Sequence, residues 1–76
     1  MTQYVALIAD ATGRYATVVV EANTWSKALD QLEDAGCEVI ENQSEDYEGC
    51  WDEDLKDLGV LTINELLRNS DFVAHP

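Results

Sequence analysis

Basic residues are scarce in this sequence. Four Lys and Arg stand against sixteen Asp and Glu, which gives a formal net charge of −12 over 76 residues. Phosphates of nucleic acids and anionic lipids repel such a surface, so we expect no direct binding to DNA, RNA or membranes. The sequence also lacks a run of 18 apolar residues and a basic segment leading into an apolar one. We therefore expect neither a transmembrane helix nor a signal peptide, and a cytoplasmic location.

Signatures of catalysis and of cofactor binding are missing as well. The single histidine, His75, lies near the end of the sequence, where it is poorly placed to activate a nucleophile. The four glycines form no phosphate-binding loop. Cys37 and Cys50 lack the paired spacing of a zinc site, and we expect two thiols rather than a disulfide. The hypothesis that follows is a protein without enzymatic activity and without a cofactor.

The length predicts one domain over residues 1–76. The hydrophobic content of 46% is enough for a folded core. A chain this short buries only about 60–65% of the surface that it exposes when unfolded, so the core is marginal. A second subunit would supply more burial, which makes a homodimer possible.

Three segments have the pattern of β-strands. Residues 3–9 (QYVALIA) are apolar on both faces, which predicts a central strand covered on both sides. Residues 15–22 (YATVVVEA) are rich in β-branched side chains, and the short turn from Asp10 to Gly13 joins the two strands into an antiparallel hairpin. Residues 37–41 (CEVIE) have mixed faces, which indicates an edge strand whose charges discourage aggregation.

Three other segments have the pattern of helices. Trp25, Ala28, Leu29 and Leu32 form one apolar stripe, which predicts a helix over 24–35 that ends at Gly36. Residues 50–58 predict a short acidic helix with its apolar positions at residues 51, 55 and 58. Thr62 and Glu65 match a capping box, which predicts a helix over 63–69. The segment from Asp71 onward is interpreted as a tail.

Together these elements predict an α+β fold of the order β-β-α-β, a partial ferredoxin-like sandwich. In the expected antiparallel sheet the first strand lies in the middle, so the strand order is 2-1-3. We expect the first helix to cover one face of this sheet. The short C-terminal helix, or a second subunit, would cover the other face.

The acidic residues are concentrated in the middle of the sequence. Twelve of the sixteen lie between Asp30 and Asp57, where Lys56 is the single basic residue, so this acidic segment (residues 30–57) carries a net charge of −11. Residues 1–29 have no net charge. Solubility alone does not require that the acids be confined to one third of the chain.

A folded surface with this charge can imitate nucleic acid. Carboxylates on successive helical turns lie about 5–6 Å apart, while DNA carries one phosphate charge per roughly 1.7 Å of axis. Phage-encoded DNA mimics and some anti-CRISPR inhibitors follow this logic. We therefore expect an inhibitor or regulator that binds the basic groove of a nucleic-acid-handling protein, with Tyr47 and Trp51 as aromatic anchors. The predicted partner-binding residues are Asp30, Glu33, Asp34, Glu38, Glu41, Glu45, Asp46, Tyr47, Glu48, Trp51, Asp52, Glu53, Asp54 and Asp57.

Two alternatives remain. In the first, the chain is a structural or assembly module that dimerises through its sheet and uses its acids for solubility. In the second, residues 44–55 bind calcium in the manner of an EF-hand loop, with Ser44, Asp46 and Glu48 as oxygen ligands and Gly49 at the bend. Position twelve of that loop is Leu55, where an EF-hand has a bidentate glutamate.

Overall fold

The computed structural model describes residues 2–50, 52–69 and 71–74. These residues form an α+β fold with a four-stranded mixed sheet, three α-helices and one 3₁₀ turn. The strands are β1 (Thr2–Ala9), β2 (Tyr15–Ala22), β3 (Glu38–Asn42) and β4 (Leu61–Thr62). The helices are α1 (Trp25–Asp34), α2 (Asp52–Asp57) and α3 (Ile63–Arg68), and the 3₁₀ turn covers Ser44–Tyr47.

The strand order is β3-β1-β2-β4, so the predicted order 2-1-3 is incomplete and the sheet is not purely antiparallel. β1 pairs antiparallel with both β2 and β3, whereas β4 pairs in parallel with β2 through Val18–Leu61 and Val19–Thr62. β4 has only two residues, which is too short for an alternating pattern to show in the sequence. A ferredoxin-like fold is not confirmed.

Apolar side chains fill both faces of the sheet, as the pattern of β1 predicts. Adjacent residues of a strand point to opposite faces, so Val5 and Ala6 begin two separate clusters. The first face packs against α1 and includes the fully buried Ile8 and Leu32. The second face carries the smaller cluster of Val5, Leu55 and Val60.

The covering of the second face differs from the prediction. Leu66 of α3 packs in the first cluster together with α1, so α3 does not cover the opposite face. Leu55 of α2 and Tyr47 of the 3₁₀ turn cover that face instead. Leu58, an apolar position of the helix predicted over 50–58, is exposed, and so is Leu67 in α3, because each short helix buries little more than one side chain.

The cap predicted at Thr62 and the helix end predicted at Gly36 are confirmed, and α1 has a side-chain cap as well. The Thr24 hydroxyl accepts the backbone N–H of Lys27 at the start of α1, and the Thr62 hydroxyl accepts that of Glu65 at the start of α3. Gly36 follows α1 with φ of 85°, a left-handed conformation that favours glycine. These caps fix where both helices begin and where α1 ends.

The segment interpreted as a tail is fastened to the hairpin over residues 71–74. Phe72 packs against the first cluster, and the backbone N–H of Ala11 donates to the Val73 carbonyl at 2.8 Å. The N–H of Val73 in turn donates to Asp10 Oδ2 at 3.4 Å. The contact joins residues 63 positions apart, which no local pattern can indicate.

Candidate partner-binding surface

The described carboxylates of the acidic segment lie on the outside of the fold. Eleven of its twelve acids have a described side chain, and each of these is exposed. The side chain of Asp52 and all of Trp51 lie outside the described part of the structure, so the anchor predicted at Trp51 stays a prediction. The exposed acids are Asp30, Glu33, Asp34, Glu38, Glu41, Glu45, Asp46, Glu48, Glu53, Asp54 and Asp57.

The acids form a band rather than one flat patch. Asp30, Glu33 and Asp34 belong to α1, which packs on the first face of the sheet. Glu38 and Glu41 lie on β3 at the edge of the sheet. The acids of the 3₁₀ turn and of α2 follow on the second face, since Tyr47 and Leu55 pack there. A flat partner surface therefore cannot contact the whole band at once.

Hydrogen bonds fix the 3₁₀ turn against β1. The Ser44 hydroxyl accepts the backbone N–H of Val5 at 3.0 Å and donates to Asn42 Oδ1 at 2.6 Å. The N–H of Gln43 donates to the Val5 carbonyl at 2.7 Å. Because both the N–H and the carbonyl of Val5 are bonded to this segment, the 3₁₀ turn that carries Glu45 has a fixed position on β1.

Tyr47 lies half-buried at the border between core and solvent. Its side chain packs against the second cluster and lines an open groove of about 470 Å³ together with Val5, Glu45 and Glu48. An aromatic ring that is partly exposed beside carboxylates is a typical interface residue, but it also closes a small core. The sequence-based hypothesis for Tyr47 as an anchor is compatible with this position.

A second groove, of about 630 Å³, lies between α2 and the corner formed by β4 and α3. Its lining includes the buried Leu55 and Val60, and the acidic residues Glu21, Glu53 and Glu65. Glu21 and Glu65 lie outside the acidic segment, and only their tertiary placement brings them near Glu53. Sequence reasoning missed these two residues because each stands alone among neutral neighbours.

Among the carboxylates that the structure describes, Asp10 is the buried one, with an exposed fraction of 3%. Its Oδ1 accepts the Thr12 hydroxyl at 2.6 Å and the backbone N–H groups of Thr12 and Arg14 at 2.9 and 3.0 Å. The hydrogen bond from the Thr12 hydroxyl, joined by those from the backbone, lowers the pKa of Asp10 to about 2 against the opposing effect of burial. Asp10 therefore holds the hairpin turn and Val73 together as a charged acceptor.

The cysteines are free thiols on opposite faces of the sheet. Cys37 is buried in the first cluster, where burial raises the pKa of its thiol, and Cys50 packs half-buried against the second. The sheet separates the two sulfur atoms, so the expectation of two thiols is confirmed.

Arg14 forms an ion pair at 3.8 Å with Asp71, which is outside the acidic segment, and both side chains are well exposed.

Calcium binding by residues 44–55 stays a prediction, and the position of its bidentate ligand is occupied by an apolar residue that faces the core. Leu55, at the position of the bidentate ligand, is buried against Val5 and Val60. Within the described part of the chain, no three His, Cys, Asp or Glu side chains converge so that they could hold a metal ion. No helix among the same residues combines the length and the apolar character needed to cross a bilayer.

Comparison of the chain with protein-family models, with curated proteins and with solved structures finds no match.

Proposed function

We propose that this chain is a non-enzymatic binding protein whose carboxylates occupy the basic groove of a nucleic-acid-handling protein and so compete with nucleic acid. The observation that supports the proposal is the outward position of every described acid in the acidic segment, where the net charge is −11. A basic groove that binds exposed carboxylates in place of nucleic acid makes contacts of the same electrostatic kind. The proposed binding is therefore electrostatic, and high salt weakens it.

The band narrows what such a partner can contact. The basic groove of the partner can contact only one side of the band. It can accept either the side of α1 and β3, with five described acids, or the side of the 3₁₀ turn and α2. The second side is the better candidate, because it also carries Tyr47 and two open grooves in which a partner's side chains can be desolvated. The proposed function corresponds to that of a phage-type inhibitor, for example one that acts on a CRISPR nuclease.

Competition with DNA tests this proposal. The immobilised chain is exposed to lysate of its native host, and bound proteins are eluted with duplex DNA and then with salt. We expect nucleic-acid-binding proteins in the DNA eluate, because the duplex occupies the same basic groove. Captured proteins that duplex DNA does not displace, and that remain bound at high salt, would contradict the proposal.

A different candidate function is assembly through the sheet. Two large apolar side chains near the second face are exposed: Tyr15 has an exposed fraction of 69% and Ile40 one of 48%. Ile40 lies beside a bulge in the pairing of β1 with β3. Two copies that met on this surface would bring Glu38 and Glu41 towards their counterparts, and like charges disfavour that contact. A concentration-dependent dimer in sedimentation, disrupted by Tyr15→Lys, would support assembly. A monomer at all concentrations would exclude it.

A further inference from the structure

We propose that the 630 Å³ groove between α2 and the β4–α3 corner receives an arginine side chain from a basic partner protein. The inference deepens the proposed function, since it assumes a basic protein partner and names the chemistry of one contact. The groove combines two features that an arginine needs: apolar surface for the methylene stem and carboxylates for the guanidinium group.

The apolar surface comes from three elements. Leu55 of α2 and Val60 have exposed fractions of 2% and 3%, and both line the groove. Ile63 at the start of α3 and Val19 of β2 line it as well and are half-buried. Leu55 and Val60 expose almost no surface and form the floor of the groove, whereas an aliphatic stem laid over Ile63 and Val19 covers apolar surface that water otherwise contacts, which is a favourable change.

The acidic residues of the lining also come from three separate elements. Glu21 lies near the end of β2, Glu53 on α2 and Glu65 on α3, while Lys56 is the basic residue of the lining. The lining thus has an excess of two negative charges, so charge complementarity selects a cation. Glu65 Oε1 accepts the Thr62 hydroxyl at 3.2 Å, which holds this carboxylate in place before any partner binds.

Arginine fits this lining better than lysine does. Its planar guanidinium offers five N–H donors that can serve several carboxylates at once, and it is more weakly hydrated than an ammonium group. Buried arginines are also among the residues that contribute most to protein interfaces. The groove is open on one side, so the side chain can enter while its own backbone stays on the partner.

Short peptides test the assignment without the native partner. A capped Gly-Arg-Gly peptide is titrated into the ¹⁵N-labelled chain and compared with the same peptide carrying citrulline, which has the shape of arginine without its charge. We expect weak binding, of order millimolar, with shifted amides confined to residues around the groove. No binding by the citrulline peptide and weaker binding by a lysine peptide are the further expected results.

Charge-neutralising variants locate the contact. Glu65→Gln retains an oxygen that can accept the Thr62 hydroxyl, and Glu21→Gln alters an exposed position, so both variants should fold. Each variant should raise the dissociation constant of the arginine peptide about tenfold, which is the change expected when a hydrogen bond to a charged group is lost. The matched control is Glu33→Gln on α1, which removes the same charge on the other face and should change the affinity less than twofold.

Three results would overturn the proposal: shifts spread evenly over the acidic segment, equal binding of the lysine and arginine peptides, or equal weakening by all three variants. The two experiments distinguish a wrong groove proposal from a wrong proposed function. If peptide binding is absent while DNA still displaces the captured proteins, the groove proposal alone is wrong. If the peptide binds at the groove and nothing captured is displaced by DNA, the proposed function alone is wrong.

Discussion

Asp10 illustrates how one residue joins distant parts of a small fold. Its buried carboxylate accepts hydrogen bonds from Thr12, Arg14 and Val73, so the hairpin turn and the segment after α3 are held by a single side chain. A chain of this size has few such connections. The charge on Asp10 therefore bears on stability, because the carboxylate itself is buried and its hydrogen bonds are partly shielded from water.

Asp10→Asn should lower the melting temperature, and the loss should depend on pH. Because the folded state lowers the pKa of Asp10 from 3.8 to about 2, ionisation stabilises the fold fully above pH 3.8. This contribution disappears as the pH falls through about 2. The unfolding free energies of the wild type and the variant, measured by urea denaturation from pH 7 to pH 2, should converge at the acid end. A difference that stays constant over this range would contradict the account, and Asp71→Asn serves as the exposed control.

Leu32 should be the more costly of two leucines to truncate. Its side chain is fully buried between α1 and the sheet, whereas Leu67 has an exposed fraction of 48%. Leu32→Ala should lower the free energy of unfolding by about 2–5 kcal/mol, and Leu67→Ala by less than about 1 kcal/mol. Denaturant unfolding of both variants measures this, and equal losses would contradict the difference in burial between the two leucines.

At the scale of the elements, α3 depends on its cap, since six residues are too few for a helix to be stable alone. Thr62→Ala removes the acceptor for the Glu65 N–H and should cost about 1 kcal/mol of unfolding free energy. Thr62→Ser keeps a hydroxyl at the cap and should cost less than half of that. If alanine and serine are equivalent in thermal unfolding, the hydroxyl does not stabilise α3.

The elements also mark what could be predicted from the sequence. β1, β2, α1 and α3 follow from local periodicity, from the hairpin turn and from capping residues, each of which acts over a few positions. β4 could not be predicted, because two residues paired in parallel with a distant strand leave no periodic signal. The position of α3 on the same face as α1 is likewise decided by long-range packing.

The candidate surface could be predicted only in part for the same reason. The charge of the acidic segment is visible in the sequence, and so is the hydrophilic character that leads to exposure. The division of that segment over both faces depends on where Tyr47 and Leu55 pack. The approach of Glu21 and Glu65 to one groove depends on the sheet and on α3 together, which no window of sequence contains.

For the whole molecule, the net charge of −12 should make stability sensitive to salt. Screening shortens the range of repulsion from about 30 Å at 0.01 M salt to about 8 Å at physiological ionic strength. The melting temperature should therefore rise with sodium chloride over this range. The triple variant Asp30→Asn, Glu33→Gln, Asp34→Asn should respond less, and an unchanged or falling melting temperature of the wild type would show that repulsion does not limit stability.

The central claim, that a carboxylate surface of this fold binds a basic groove, is tested most directly by two charge-reversed variants with the same change in charge. One carries Lys at positions 30, 33 and 34 of α1, and the other carries Lys at positions 52, 53 and 54 of α2. Because α1 and α2 lie on opposite faces of the sheet, the two variants differ in location and not in net charge. The account predicts that the α2 variant loses capture of the DNA-displaceable proteins while the α1 variant keeps most of it. Undiminished capture by both variants would contradict it.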